Sequence, residues 1–209
     1  MPTTDIRNAR RAFTLIELLT VMAIIGILAA IIIPTVSSVR VSANKAKTKV
    51  QFNQWASAIE SFRSEYGYYP SFDSSNKVNG GAVSSGDHLF HDILAGRKRD
   101  GLAIGNAAAA QNRKRITFYT FSDGDFADAE STVPDLLQDA FGNTEIAVLV
   151  DENSDGRIDS SDYSSAPIVA GMAPTTADIP STGIRMSVVF YAPAPDADAN
   201  NPGFIFSWK

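Results

Sequence analysis

Cysteine is absent from the 209 residues. That excludes a disulfide, a thiol nucleophile, a thiolate metal site and a lipid-bearing Cys. Many exported domains lean on disulfides, so stability here must come from elsewhere, and a bound metal is one source. Histidine occurs twice, as His88 and His91 in "DHLFHD". With only Asp87 or Asp92 beside them, they lack a third firm zinc ligand. No Ser/His/Asp order, phosphate-binding Gly loop or convincing carboxylate pair is present, so an enzyme is not expected. Basic runs are confined to "RKR" at 97–99 and at 113–115, and the formal net charge is −5. Such an acidic chain is a poor general binder of nucleic acid. The two runs read as solvated loops or as contacts for an acidic partner. Long apolar runs are also scarce, because there is one.

That run extends from Phe13 to Ile33, and its only polar side chains are Thr14, Glu17 and Thr20. About 20 helical residues at about 1.5 Å each cross a bilayer core of roughly 30 Å. Arg7, Arg10 and Arg11 precede it, which keeps the short N-terminal end in the cytoplasm and places the bulk of the chain on the far side. A cleaved secretory signal fits poorly, since Leu28 stands where a small residue is needed before Ala30. A plain anchor leaves Glu17 unexplained, because a carboxylate in a membrane helix costs about 2.5–3.5 kcal/mol, less near an end. Cleavage between Ala12 and Phe13 would supply a partner. The new α-amine on Phe13 is largely positive at neutral pH and lies one turn from Glu17. The partner could be this amine or that of a neighbouring subunit, and such a pair would set axial register.

The stretch "AFTLIELLTVMAIIGILAAIIIP" resembles the N-terminal signature of type IV pilins and type II secretion pseudopilins. The resemblance implies removal of a basic leader, residues 1–12, by a prepilin peptidase. It implies a cut after Ala12, N-methylation of Phe13, and a role for Glu17 in subunit recruitment and register. Gly26 and Pro34 stand where that family has helix-weakening residues. The departure is Ala12, where Gly is usual. Loss of residues 1–12 would remove three Arg and one Asp, leaving the chain more acidic.

Beyond the membrane half (13–34), apolar residues keep helical spacing over 35–66. Val36, Val39, Ala43, Ala46 and Val50 form one stripe, and Phe52, Trp55, Ile59, Phe62 and Tyr66 continue it in shifted phase. The pattern fits a single helix from Phe13 to about Tyr66, on the order of 80 Å long, whose far half packs on a domain. Pro34 removes a backbone donor and gives a place to bend. "SEYGYYPS" stops the helix at Gly67 and Pro70. Short helices fit 87–94 and "NAAAAQN". Strands fit "RITFYTFS" (115–122), "TEIAVLV" (144–150), "IRMSVVFYA" (184–192) and "GFIFSW" (203–208). The fold class is therefore α+β, a long N-terminal helix and then a globular head (67–209) with a small antiparallel sheet. "DAFGN" (139–143) resembles the Asp-Pro-Trp-Gly-Asn-Pro turn of pseudopilins, with Asp139, Gly142 and Asn143 matching.

"DENSDGRIDSSD" (151–162) fits the spacing of an EF-hand calcium loop. Asp151, Asn153 and Asp155 fill the first, third and fifth positions. Gly156 supplies the sharp turn, Arg157 contributes its backbone carbonyl, Asp159 acts through a water, and Asp162 closes the loop where Glu is usual. Ile158 points back to the core. Calcium takes about six to eight hard oxygens, so Ca²⁺ is the expected cofactor. A strand leads in, so no helix–loop–helix pair is expected. The loop also resembles dockerin-like repeats, and the pseudopilin resemblance implies a calcium site in a C-terminal loop.

The resulting expectation is a structural subunit of a type II secretion pseudopilus. It would sit in the inner membrane as a single-pass precursor, N-terminus cytoplasmic and head periplasmic, and end in an extracytoplasmic filament. Partners would be copies of itself, other pilin-like subunits, the prepilin peptidase and an inner-membrane assembly platform. The alternatives are a type IV pilus subunit serving adhesion, motility or DNA uptake, and a bitopic calcium-binding surface protein.

Overall fold

The computed structural model describes residues 14–72, 75–80, 87–127, 135–163 and 165–209. The leader, with Ala12 and Phe13, lies outside them. Helix α1 spans Leu15–Tyr66 and runs unbroken through position 34. It belongs to two compact units, 1–42 and 43–209.

In the first unit the large apolar side chains from Leu15 to Ile33 are exposed. This is a helix long and apolar enough to cross a membrane, with a mean hydropathy of 2.8 over its best window. Its start is fixed by a capping box. Thr14 Oγ1 accepts the Glu17 N–H, and the Thr14 N–H and hydroxyl both donate to Glu17 Oε2, at 2.8 Å each.

In the second unit the buried face of α1 begins at Thr48. Phe52, Trp55, Ile59 and Phe62 follow it at spacings of three and four, all with zero exposure. The upstream stripe differs from expectation, because Val36, Val39 and Val50 are exposed. The phase shift at position 52 is where helix packing on the head takes over. Trp55 meets Phe90 and Phe190 edge-on at 5.3 and 5.8 Å, and Phe52 stacks on Phe190 at 5.5 Å. Helix α2 (Leu89–Ala95) supplies Phe90, Ile93 and Leu94 to the same core, and α3 is Asn106–Gln111.

The sheet is antiparallel with order β1-β2-β3, from Ala147–Val150, Val188–Pro193 and Phe204–Phe206. Val148 pairs with Phe190, and Tyr191 with Phe206. Alternation along β2 divides two cores. Val188, Phe190 and Ala192 face α1, whereas Val189 and Tyr191 join Leu149, Ile158, Ile184 and Phe206 on the other face. Residues 76–78 cover the free edge of β1 through Val78 N–H to Ile146 O and Val148 N–H to Asn76 O.

The strand expected at 115–122 is not formed. The N–H groups of Phe118 and Tyr119 both donate to Leu94 O, and Thr117 Oγ1 donates to Ala95 O. With Arg115 and Ile116 N–H bonded to Asn112 and two further donors taken by the carbonyl end of α2, the segment is held against α2 instead of in a sheet ladder. The three real strands are shorter than their apolar runs, because flanking residues bond to loops.

Candidate functional site

Two places carry the chemistry, the N-terminal turn of α1 and loop 151–162. At the first, Glu17 is exposed and its Oε2 is engaged by Thr14. Oε1 has no partner among the described residues. The carboxylate thus caps its own helix with one oxygen and leaves the other unengaged. The Thr-x-x-Glu spacing signals this cap, and reading Glu17 only as a partner for an amine overlooks it.

The second site opens directly from β1. Asp151 Oδ1 and Oδ2 accept the N–H groups of Asp155 (3.1 Å) and Gly156 (2.9 Å). Asn153 Oδ1 accepts Asp155 N–H, and Asp155 Oδ1 accepts Arg157 N–H, at 2.9 Å each. Asp162 closes the ring, taking Asn153 N–H at 3.2 Å and Asp159 N–H at 2.9 Å on its two oxygens. Gly156 adopts φ +85°, the left-handed conformation that the sharp turn requires. Ile158 is buried and anchors the loop by a two-way bridge to Ile184 at 2.9 and 3.0 Å. Among the described residues no helix follows, so the frame is strand–loop–turn.

The loop is also tied to the end of α1. Arg63 donates to Ser154 Oγ at 2.9 Å and to the Tyr69 hydroxyl at 2.6 Å. Hydrogen bonds donated by Ser161, first its backbone N–H and then its hydroxyl, hold the Asp159 carboxyl below its usual range.

Asp151 and Asp162 are 2% and 6% exposed, yet neither has a cation within ion-pair distance among the described residues. Buried carboxylates normally have a charge partner or bind a metal. The donor set is entirely oxygen, with no thiolate or imidazole, which suits a hard divalent cation. Among the described residues no three Asp, Glu or His side chains are gathered into a metal cage. In this conformation the carboxylates of 151–162 each turn toward backbone N–H groups. The residues of the loop fit calcium in type and order.

His88 and His91 are buried and do not open onto a common ligand. His88 Nδ1 accepts His91 N–H, so its Nε2–H donates to Asn79 Oδ1 at 2.8 Å, and His91 Nδ1 pairs with Asp92 at 2.9 Å. Together they cap α2 and tie it to Asn79, whose amide bonds Leu137 O and Thr144 O. The "DAFGN" turn is likewise a hydrogen-bonded corner. Buried Asp139 accepts N–H groups of Phe141 and Asn143, and Asn143 Nδ2 donates to Pro193 O.

Residues 7–33 match the family model for the prokaryotic N-terminal methylation motif. The chain thus carries a type IV prepilin-like N-terminus, the mark of a prepilin peptidase substrate, and that motif family is structural and not enzymatic. The long N-terminal helix followed by a small antiparallel sheet is pilin-like. The motif with its apolar helix points to anchoring in the inner membrane and to assembly into pilin-like filaments. No curated protein and no solved structure matches the chain.

Proposed function

We propose that this protein is a subunit of a type II secretion pseudopilus. The methylation motif at 7–33, continuous with an apolar helix, carries the assembly reading. The peptidase cuts after Ala12, Phe13 becomes the methylated N-terminus, and Glu17 pairs with the new amine of the same or the next subunit. The buried charge pair selects one axial register as the apolar helices pack. The head lies in the periplasm, with an inner-membrane assembly platform feeding subunits into the filament.

The choice of pseudopilus over surface pilus rests on loop 151–162, the 139–143 corner and the lack of cysteine. We assign the loop to one Ca²⁺ held by Asp151, Asn153, Asp155, the Arg157 carbonyl, Asp159 through water, and Asp162. The ion would neutralise two buried carboxylates and stiffen the segment that bonds Arg63 at the end of α1.

Deletion of the gene tests the reading. Exported proteins should accumulate in the periplasm while surface pili and motility persist. Loss of pili with secretion intact would assign the chain to a type IV pilus instead.

A further inference from the structure

Helix α2, the loop that follows it and residues 119–126 enclose a cavity of about 340 Å³. That lies at the small end of ligand-pocket volumes, so it suits a small molecule and not a polymer. Its lining is divided by chemistry. Tyr119, Phe121 and Phe126 supply aromatic walls, and Arg97 and Thr120 supply polar groups.

His91 also lines the cavity, set against two of the walls. Its ring centroid is 4.8 Å from Phe121 and 5.4 Å from Phe126. The residue is only 5% exposed and is held on two sides. Nδ1 bonds the buried Asp92 carboxylate at 2.9 Å, and the backbone N–H bonds His88 Nδ1 at 3.2 Å. Nε2 has no hydrogen-bond partner among the described residues. Nor is it one of the unpartnered polar atoms cut off from solvent. So enclosed a ring, with one nitrogen both free and accessible, presents that nitrogen to the cavity it lines. A polar atom in such a place is favourable only when something hydrogen-bonds it.

The charges around the cavity leave one cation over. Arg99 bonds Asp135 at 2.6 Å and lies 4.0 Å over the Phe126 ring, and Lys98 pairs with Asp87 at 2.6 Å. Asp100 serves its own turn by accepting Leu102 N–H at 2.8 Å, and Asp123 is fully exposed, 3.8 Å from Arg99. Arg97 is exposed and has neither a carboxylate nor a hydrogen-bond partner among the described residues, and the same is true of the Thr120 hydroxyl. One unpaired guanidinium matches a monoanion. A dianion such as phosphate would keep an unmatched charge beside Asp100 and Asp123.

We propose that this cavity binds a small aromatic carboxylate. The ligand ring packs against the aromatic walls. Its carboxylate meets Arg97, whose planar fork suits that group. A hydroxyl or N–H elsewhere on the ring donates to His91 Nε2. The bond to Asp92 fixes the His91 ring with Nδ1–H turned away, which leaves Nε2 of the neutral ring as the acceptor. The site is independent of the assembly reading, since no lining residue belongs to α1.

The probe is 4-hydroxybenzoate, titrated calorimetrically into the full-length chain in detergent. Saturable binding is expected. Benzoate lacks the hydroxyl and 4-hydroxybenzyl alcohol lacks the carboxylate. Each should bind about tenfold more weakly, as expected for one lost hydrogen bond or ion pair. Arg97→Gln, at an exposed position, should weaken 4-hydroxybenzoate about tenfold and leave the alcohol unchanged. His91→Asn keeps a donor for Asp92 and removes Nε2, so it should bind 4-hydroxybenzoate and benzoate alike. His88→Gln should bind as the parent chain does. Equal urea midpoints for Arg97→Gln and the parent chain establish that this variant is folded, so the test stands even if His91→Asn does not fold. No saturable heat from the folded parent chain at millimolar probe would overturn the proposal and leave a cavity that holds water only. Equal affinity for the acid and the alcohol would overturn it, as would affinity for the acid unchanged by Arg97→Gln.

Discussion

Mild acid should loosen the head through one residue, His88. It is 4% exposed, and burial, reinforced by the neighbouring His91, pushes its pKa down to about 4 from an ordinary 6.5. Asp135 acts in the opposite direction, and the Asp92 carboxylate accepts the His88 backbone N–H. The neutral ring is required, because Nδ1 accepts a bond from His91 N–H while Nε2–H serves Asn79. A His whose folded pKa is depressed binds its proton more readily when unfolded. Stability is then highest above pH 6.5 and falls as the pH drops from 6.5 toward 4. At about 1.36 kcal/mol per pKa unit, the full loss is on the order of 3 kcal/mol, most of it reached by pH 5. Urea unfolding of the full chain in detergent, followed by the fluorescence of buried Trp55, measures it. His88→Gln should flatten the pH dependence between 7 and 5. The same comparison separates His88 from Asp139, whose carboxyl is raised by burial and titrates with the opposite sign. Equal pH slopes in the two proteins would refute the reasoning.

Other expectations follow from the same geometry. Millimolar Ca²⁺ should raise the melting temperature of the head, with a stabilisation of about 2.7 kcal/mol when calcium is about a hundredfold above its Kd. Asp151→Asn or Asp162→Asn should abolish the response, and calorimetric titration without heat would remove the calcium assignment. Trp55→Ala should cost about 3–5 kcal/mol, since a fully buried indole leaves a cavity between Phe90 and Phe190, and denaturant midpoints read it. Gly96→Ala should lower thermal stability, because the Cβ would collide with the Arg115 carbonyl while φ stays at +70°. Glu17→Ala should leave leader removal intact but abolish incorporation into filaments, which cell fractionation with mass analysis would reveal.

The parts of the fold legible in sequence are those where one physical requirement dominates. The spacing of Phe52, Trp55, Ile59 and Phe62 declares a helix face, and nothing competes with it. The turn at 151–157 is legible because Asp151, Asn153 and Asp155 each take N–H groups a few residues ahead, while Asp162 reaches back to Asn153 and Asp159. Residues 115–122 mislead because their aromatics suit a strand, while their donors are captured by Leu94 at the end of α2, a contact that spacing cannot reveal. The stripe from Val36 to Val50 is helical but uncovered, since periodicity reports an apolar face and not what lies against it. The close approach of residues 115–116 to the end of α2 depends on Gly96 and buried Asn112, neither of which announces it in the sequence.

The central claim is that residues 7–33 are a processing and assembly signal. The most direct measurement is the intact mass and N-terminal residue of the protein recovered from native membranes. The account requires a chain beginning at N-methylated Phe13, which gives Glu17 a cationic partner. A chain that retains residues 1–12, or one cut near Ala30, would contradict it.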